Sequence, residues 1–267
     1  MPEARKASEG YPALKLGCDC HVHVFGPAGR FSFDVNRKYT PADATVADLR
    51  SHLARLGLER VVIVQPSPYG TDNTCTLAAL AELRPRSRAV AVVGEDADLE
   101  AMHRAGVRGA RVNLETEGQH DPKIALQRIA ETARRVAPLG WHVQAFTRIS
   151  LLENLPALPV PLVVDHFGLA DSVAPLLSLM AKRDVWVKVS APQRLALDAA
   201  PLIRVLAAAH PDRLVWGSDW PHVPRARRSP ERIEPFEVVD DAAALDQLPA
   251  NVREKILVEN PARLYDF

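Results

Sequence analysis

The sequence predicts an α/β fold of the (β/α)8 TIM-barrel type, regular or distorted, with the active site at the C-terminal face of the strands. Eight short apolar runs alternate with amphipathic helical patterns, and polar side chains stand at the ends of several runs. Most runs are continuously apolar and rich in Val and Ile, which is typical of parallel strands buried on both faces. A doubly wound open sheet is the alternative, but no glycine-rich phosphate loop follows the first run, so we favour the barrel.

The predicted elements follow one another along the chain as strand and helix. The predicted strands are residues 18–24, 60–65, 89–93, 109–114, 141–146, 161–165, 185–189 and 214–216. The predicted helices are residues 45–56, 74–83, 98–105, 122–136, 172–182, 199–209 and 249–259, with a short helix at 150–155. Thr45 and Asp48 have the spacing of a capping box, and Gly57 and Gly106 end the first and third helices. We expect the last helix to stop before Pro261.

Composition bounds the class of protein. A chain of 267 residues suits one large domain, and we expect a flexible arm at 1–16 and a single barrel domain at 17–267. Lys plus Arg equals Asp plus Glu at 33 each, so neither nucleic acid nor an anionic membrane is an expected partner. No apolar run has the length of a membrane span, and the start lacks a signal-peptide core, so we expect a cytoplasmic protein.

The first strand reads Cys-Asp-Cys-His-Val-His-Val and carries the most informative residues. Side chains two apart on a strand point the same way, so we expect Asp19, His21 and His23 on one face. Cys18 and Cys20 would then pack on the other face as small hydrophobic side chains. Burying two imidazoles at the end of a strand costs free energy unless the rings find partners. Metal binding, proton transfer or polarisation of a carbonyl would each give them such a role. Two hydrogen-bonded structural histidines are the alternative.

Two later strand ends carry further polar residues. His166 follows the sixth run, and Asp219 follows the eighth. Strand ends converge on one mouth in a barrel, so His21, His23 and these two residues should meet at one polar centre. A satisfied structural histidine is the alternative for His166, and a helix N-cap is the alternative for Asp219.

Other polar residues are weaker candidates. Two longer inserts, 26–44 and 221–241, follow strands and would lie over the same mouth. Arg111 lies among apolar residues, where an unpaired charge is costly, so it needs a ligand or an acidic partner such as Glu115. The histidines expected to be solvated, on helices or loops, are His52, His103, His120 and His210.

Three motifs resemble those of a known group of enzymes. They are Asp-x-His-x-His on the first strand, Asp-His-x-Gly after the sixth, and Trp-Gly-Ser-Asp-Trp-Pro-His after the eighth. This combination resembles the amidohydrolase superfamily, of the amidohydrolase family 2 type. The segments 20–27, 38–41, 65–73, 108–113 and 186–195 are most similar to the 2-pyrone-4,6-dicarboxylate lactonases and their relatives, the sugar-acid lactonases and a lactone isomerase. The resemblance covers almost the whole chain from Gly17.

The resemblance implies a hydrolase that opens a carboxylated lactone, pyrone-like or sugar-derived, by attack of water. It implies that His21, His23 and His166 polarise the lactone carbonyl. It implies that Asp219 takes a proton from the water, and a carboxylate held close to water can do so near neutrality. Arg111 and Arg194 would bind a substrate carboxylate through their planar guanidinium groups. The predicted substrate-binding residues are Tyr39, Ser67, Arg111, Gln144, Arg194 and His222.

The sequence departs from the metal-dependent members of this superfamily. They usually carry a histidine on the fifth strand, where this chain has Phe146, and Arg111 lies where a metal-bridging lysine or glutamate is expected. A guanidinium cannot ligate a cation and repels one, so we favour an enzyme without a metal cofactor. The alternative is one zinc ion held by His21, His23, His166 and Asp219. Such a site would favour a zinc-dependent decarboxylase.

The expected substrate differs from the pyrone dicarboxylate. Glu117 and Leu169 stand where the pyrone lactonase has two further arginines, so this pocket loses positive charge. We therefore expect a substrate with one carboxylate, or with hydroxyls in place of the second carboxylate. Arg148 or an arginine in 225–228 could instead supply the missing positive charge. A lactone isomerase remains an alternative, and a barrel that binds a small acid without turnover is the least favoured. We expect a small-molecule partner and a monomer or small homo-oligomer.

Overall fold

The predicted barrel is confirmed in the structure, a computed structural model that describes residues 15–223, 231, 233–234, 236 and 245–267. Its strands are Cys18–Val22 (β1), Thr40–Pro41 (β2), Arg60–Val64 (β3), Ser87–Ala91 (β4), Val107–Asn113 (β5), His142–Phe146 (β6), Leu162–Val164 (β7), Val185–Ser190 (β8), Leu214–Gly217 (β9) and Ile233–Glu234 (β10). Eight of them form one sheet in the order β1-β3-β4-β5-β6-β7-β8-β9. The N–H of His23 donates to Trp220 O (2.8 Å). The N–H of Asp219 donates to His21 O (2.9 Å), so the ends of the first and last strands are joined.

The helices cover the outside of the sheet. They are Val46–Leu56 (α1), Thr74–Leu83 (α2), Leu99–Ala105 (α3), Leu114–Glu117 (α4), Pro122–Val136 (α5), Ala174–Lys182 (α6), Ala199–Ala209 (α7), Ala250–Glu254 (α8) and Asn260–Tyr265 (α9). The predicted capping box of α1 is present between Thr45 and Asp48, and Gly57 ends the helix with a φ of 70°. The expected helix at 150–155 is instead a 3-10 turn, Ile149–Leu152. The short helix α4 was not predicted.

The expectation that the last helix stops before Pro261 is wrong. A π-helical segment, Lys255–Glu259, continues α8 into α9. Pro261 lies in the first turn of α9, where the missing N–H of proline costs little. The Asn260 side chain donates to Pro211 O (2.8 Å) and Leu214 O (2.7 Å). These contacts hold α9 against the start of β9.

The described part of the chain contains two buried apolar clusters. The larger one packs the helices against the outside of the strands and includes Leu49, Leu53, Val61 and Ile63. The smaller one is formed mainly by strand side chains that point into the barrel, since successive side chains of a barrel strand alternate between inside and outside. Its members are Cys18, Cys20, Val62, Val64, Val90, Val163, Trp186, Val215 and Tyr265. The cysteines of this cluster are buried free thiols, as expected.

The first strand does not keep its predicted alternation. The register between β1 and β3 shifts within β1, and such a bulge changes which side chains face the same way. Cys20 packs in the interior cluster, whereas Asp19 lies against His52 of α1. The prediction that Asp19 shares a face with His21 and His23 is therefore wrong.

The two long inserts meet over the C-terminal mouth. β2 pairs in parallel with β10, with Thr40 opposite Ile233. Much of the insert 221–241, and residues 1–14 of the expected arm, lie outside the described residues, so the predicted domain limits stay a prediction. None of the helices in the described part of the chain is both long enough and apolar enough to cross a membrane.

Candidate active site

The four predicted catalytic residues meet at the C-terminal end of the barrel. The Nε2 atoms of His21 and His23 each lie 3.6 Å from Asp219 Oδ1. The Nε2 atom of His166 lies 3.7 Å from the same oxygen. All four residues are buried, so three imidazoles surround one carboxylate oxygen in a site nearly closed to solvent.

Asp19 ties together the two strand ends that carry this centre. Its Oδ1 accepts hydrogen bonds from the N–H of His21 (3.1 Å) and of Ser218 (3.0 Å). Its Oδ2 lies 3.4 Å from Nε2 of His52, and that nitrogen lies 3.2 Å from Ser218 Oγ. His52 is buried, so the expectation that it is solvated is wrong, and it supports Asp19 from α1.

Two of the site residues have a left-handed backbone. The φ angles are 51° at His166 and 65° at Asp219, a region that side-chain-bearing residues rarely adopt. Such strain persists where the surroundings fix it, and it is concentrated at functional sites. The residues described after Asp219, 220–223, are not helical, so the alternative of a helix N-cap is wrong.

The remaining ring nitrogens constrain where the protons sit. Nδ1 of His23 lies 2.8 Å from Val64 O, and because a carbonyl only accepts, this nitrogen carries a proton. Nδ1 of His21 faces Asp165 Oδ1 at 3.4 Å. Nδ1 of His166 lies 2.8 Å from Ser190 Oγ, a hydroxyl that can either donate or accept.

The charges at the centre are strongly coupled. Burial lowers the pKa of His21 well below its ordinary value, and Lys188 lowers it further. Burial also lowers the pKa of His166, to about 4, so both rings are neutral near pH 7. Burial alone would raise the pKa of Asp219, but Arg194 and the histidines hold it well below its ordinary value. The centre therefore combines an ionised carboxylate with the neutral imidazoles of His21 and His166.

A buried polar network that the sequence analysis missed lies directly below the centre. Lys188 is fully buried, and its Nζ donates to Gln144 Oε1 (2.8 Å) and lies 3.4 Å from Asp165 Oδ1. Gln144 Nε2 donates to Asp165 Oδ2 (3.0 Å). Burial alone would raise the pKa of Asp165, but Lys188 and His21 hold it well below its ordinary value. A lysine inside a continuously apolar strand was the available signal, since lysine is almost never fully buried unless paired.

A narrow pocket opens above this polar centre. Its volume is about 20 Å³, which is room for roughly one water molecule. The described residues that line it are His23, Tyr39, Ser67, Arg111, Asn113, Thr116, Phe146, His166, Arg194, Asp219 and Val223. The inner pocket therefore admits the reacting group of a substrate rather than a whole ring.

Four of the six predicted substrate-binding residues line this pocket, namely Tyr39, Ser67, Arg111 and Arg194. Gln144 lies below it, with both ends of its amide used by Asp165 and Lys188. His222 is not among the described lining residues, and its Nε2 lies 3.1 Å from Ser218 O. Asn113, the last residue of β5, and Thr116 of α4 also line the pocket, and neither was among the predicted substrate-binding residues.

The two pocket arginines have different partners. Arg111 donates from Nη1 to Gln65 O (2.9 Å), and its Nη2 lies 3.9 Å from Asp165 Oδ2. The expected partner Glu115 instead pairs with Arg148. Arg194 contacts Asp219 Oδ2 through Nη2 (2.6 Å) and Nε (3.1 Å).

A larger outer chamber, of about 210 Å³, adjoins the inner pocket. The two share Ser67, Arg111, Asn113 and Thr116. Glu117 lies on the wall of the chamber and pairs with Arg128 of α5, with 3.2 Å between Oε1 and Nη2. Leu169 lies elsewhere, in a recess with Arg148 and Arg194. The candidate compensating arginines at 225–228 lie outside the described residues.

The centre has a donor set that could hold a metal ion. Three residues, His21, His166 and Asp219, each offer one ligand atom, and these atoms lie within 4.8 Å of one another. With a proton on Nδ1, neutral His21 and His23 rings would each direct an Nε2 lone pair at this centre, as in zinc sites. Arg194, 2.6 Å from Asp219, already supplies positive charge to the carboxylate and disfavours a second cation there. The residues thus fit one zinc ion by donor type, against an electrostatic cost.

Comparison with known proteins assigns this fold and site to one class. The amidohydrolase family (Amidohydro_2) model matches residues 18–267. This chain belongs to the amidohydrolase family.

Individual relatives are similar over nearly their full lengths. A 2-pyrone-4,6-dicarboxylate hydrolase of Comamonas testosteroni is 36% identical over 298 residues, covering 97% of this chain and 94% of the relative. A 4-sulfomuconolactone hydrolase of Rhizobium radiobacter is 32% identical over 295 residues, covering 99% and 94%. A solved structure from Agrobacterium tumefaciens has a TM-score of 0.78 at 26% identity, covering 97% of this chain and 98% of that one.

Proposed function

We propose that this protein opens a carboxylated lactone by attack of water on the ring carbonyl. It is a hydrolase that acts on a cyclic ester, in line with the relatives named above. The observation that carries the proposal is the ionised Asp219, with three imidazoles around one oxygen, at the base of a pocket lined by two arginines. The assignment of roles below is part of the proposal.

Asp219 acts as the general base. Its Oδ1 faces the space between the histidines and takes a proton from water as the water adds to the carbonyl. Asp219 then gives this proton to the ring oxygen as the ring carbon–oxygen bond breaks. Arg194 holds Oδ2, so Oδ1 is the oxygen available for the proton. A substrate carboxylate that binds Arg194 withdraws part of the positive charge from Asp219 and thereby raises its basicity.

His166 is the hydrogen-bond donor that polarises the carbonyl. His166 can carry its proton on Nε2, because Ser190 Oγ can donate to its Nδ1. His23 carries its proton on Nδ1, so the neutral ring has no donor on Nε2. Donors fixed in a buried site stabilise the negative charge that develops on the carbonyl oxygen.

The remaining pocket residues hold the substrate. Arg111 and Arg194 would bind its carboxylate, with Tyr39 and Ser67 contributing hydroxyl groups. The inner pocket of about 20 Å³ takes the reacting carbonyl, and the rest of the ring lies in the adjoining chamber of about 210 Å³. A location in the cytoplasm and a monomeric or small homo-oligomeric state stay predictions.

A panel of mono- and dicarboxylate lactones, sugar-acid lactones and neutral lactones tests the proposal. Ring opening releases a carboxylic acid, so we expect proton release in weakly buffered solution, with an open-chain acid as product by NMR. An isomeric lactone without proton release would identify a lactone isomerase. Tight binding of an acidic lactone without any product would identify a binding barrel and contradict the enzyme assignment.

Activity is expected to survive exhaustive chelation. If zinc were bound, His21, His166 and Asp219 would hold it, and it would supply Lewis-acid polarisation of a carbonyl. The guanidinium of Arg194 beside Asp219 disfavours that cation, and Phe146 adds no ligand. The measurement is metal content together with turnover before and after chelation. Stoichiometric zinc, with activity lost on its removal and restored on its return, would contradict the prediction and favour the zinc-dependent decarboxylase.

Glu117→Gln is expected to raise kcat/KM for a dicarboxylate lactone by a few-fold, roughly the scale of one exposed charge pair. Glu117 neutralises Arg128 at the chamber wall, and the amide would leave that guanidinium available to a second carboxylate. Kinetics with mono- and dicarboxylate lactones of one ring type measure the effect. Glu117→Gln with Arg128→Gln should abolish the gain, and Glu131→Gln on the exposed face of α5 is the matched control. An equal gain on both lactones would contradict a second carboxylate subsite.

A further inference from the structure

We infer that Lys188, Gln144 and Asp165 form a positioning network that fixes the proton of His21 on Nδ1, so that its Nε2 accepts a hydrogen bond from the attacking water. Lys188, Gln144 and Asp165 do not line the described part of the pocket, and they act through His21. The assignment of the water to His21 rests on the proposed function. The position of the proton does not.

The orientation of each group in the network follows from its chemistry. Lys188 can only donate, so the Gln144 oxygen faces its Nζ at 2.8 Å. The Gln144 amide nitrogen is then directed at Asp165 Oδ2, 3.0 Å away. This leaves Asp165 Oδ1 between Lys188 Nζ and His21 Nδ1, each 3.4 Å distant.

Asp165 in turn decides the tautomer of His21. A carboxylate next to Nδ1 attracts an N–H there and repels a lone pair, even at 3.4 Å, because the site is buried and screening is weak. Lys188 and Asp165 are both fully buried. The positive charge of Lys188 keeps the Asp165 carboxylate ionised although water does not reach it. Neutral His21 therefore has its lone pair on Nε2, 3.6 Å from Asp219 Oδ1.

This tautomer gives His21 a different role from the one implied by the resemblance. A neutral ring with its proton on Nδ1 cannot donate to a carbonyl from Nε2. Water between His21 Nε2 and Asp219 Oδ1 can donate one hydrogen to each, which directs an oxygen lone pair at the substrate. One proton then passes to Asp219 as the carbon–oxygen bond forms, and His21 keeps the water oriented.

Long-range proton–nitrogen NMR of 15N-histidine-labelled protein measures the tautomer directly. We expect the wild-type His21 signal, assigned with His21→Gln, to show a protonated Nδ1 and an unprotonated Nε2. Asp165→Asn should shift the proton toward Nε2, because an amide can donate to Nδ1. His23 is the internal control, since its Nδ1 faces Val64 O and its signal should not move.

A second variant guards against misfolding. Removing one member of a buried ion pair leaves an uncompensated charge, which is strongly destabilising. Lys188→Met together with Asp165→Asn removes both charges at similar volume and should show the same change in tautomer. Ser87→Ala, which loses a buried hydrogen bond to Leu80 O away from the site, should change neither the tautomer nor kcat. A wild-type His21 protonated on Nε2, or a proton that stays on Nδ1 in both Asp165 variants, would overturn the inference.

Kinetics test the role given to the water. Asp165→Asn should lower kcat by at least about tenfold, a scale seen when a group that orients a catalytic or ligating histidine is lost. KM should change little, because Asp165 does not line the described pocket. A shift of the tautomer with unchanged kcat would overturn the water-orienting role. If the wild-type protein opens no lactone, the proposed function fails, while the NMR result still decides the tautomer.

Discussion

Asp219→Asn is expected to slow lactone hydrolysis by about a hundredfold or more, the usual scale for loss of a general base. The amide keeps the shape of the side chain and an oxygen for Arg194, which contacts Oδ2 at 2.6 Å. It cannot take a proton from water, so kcat should fall while substrate binding persists. Stopped-flow or steady-state kinetics give kcat, and equilibrium binding of the substrate to the variant gives Kd.

A matched substitution separates loss of the base from loss of a carboxylate in general. Asp212→Asn removes an exposed carboxylate that pairs with Lys255, far from the pocket lining, and should leave kcat unchanged. Thermal unfolding of both variants checks that the fold is retained. Turnover by Asp219→Asn close to that of the wild type would remove Asp219 from the chemistry, and no helix-capping role is left to it.

Local sequence patterns predicted the barrel and its polar centre well. Most strands of the barrel are short apolar runs, as expected of parallel strands buried on both faces. His166 and Asp219 could be placed because parallel strands present their C-terminal ends at one mouth. The convergence of the four predicted catalytic residues was inferred from topology, and the structure brings them together.

The features that were missed depend on tertiary contacts. The bulge in β1 arises from its register with β3, so the outward turn of Asp19 toward His52 could not be read from alternation. Gln144 was expected in the pocket as a polar residue of the fifth predicted strand, but in the folded barrel its amide contacts Lys188 and Asp165. The partner of Glu117 lies on another helix, and only the folded chain brings Arg128 to it.

Arg111→Met is expected to lower kcat/KM for an acidic lactone by about a hundredfold, but to change kcat/KM for a neutral lactone of similar size by much less. Arg111 is a buried guanidinium that lines both the inner pocket and the outer chamber. A charge-assisted hydrogen bond to a carboxylate is worth roughly 1.5–3 kcal/mol, and a paired fork of two such bonds accounts for the expected loss. Methionine keeps much of the volume and removes the charge.

The comparison of acidic with neutral lactones decides what Arg111 does. Its bond to Gln65 O and its proximity to Asp165 also serve the packing of the barrel, and loss of packing would weaken both substrates equally. Arg111→Lys retains a point charge without the planar fork, so it should recover only part of the discrimination. Arg134→Met, on the exposed end of α5, should leave both substrates unaffected. Equal losses for acidic and neutral lactones in Arg111→Met would make Arg111 a structural residue. Of the arginines that line the described inner pocket, Arg194 alone would then be left to bind the carboxylate.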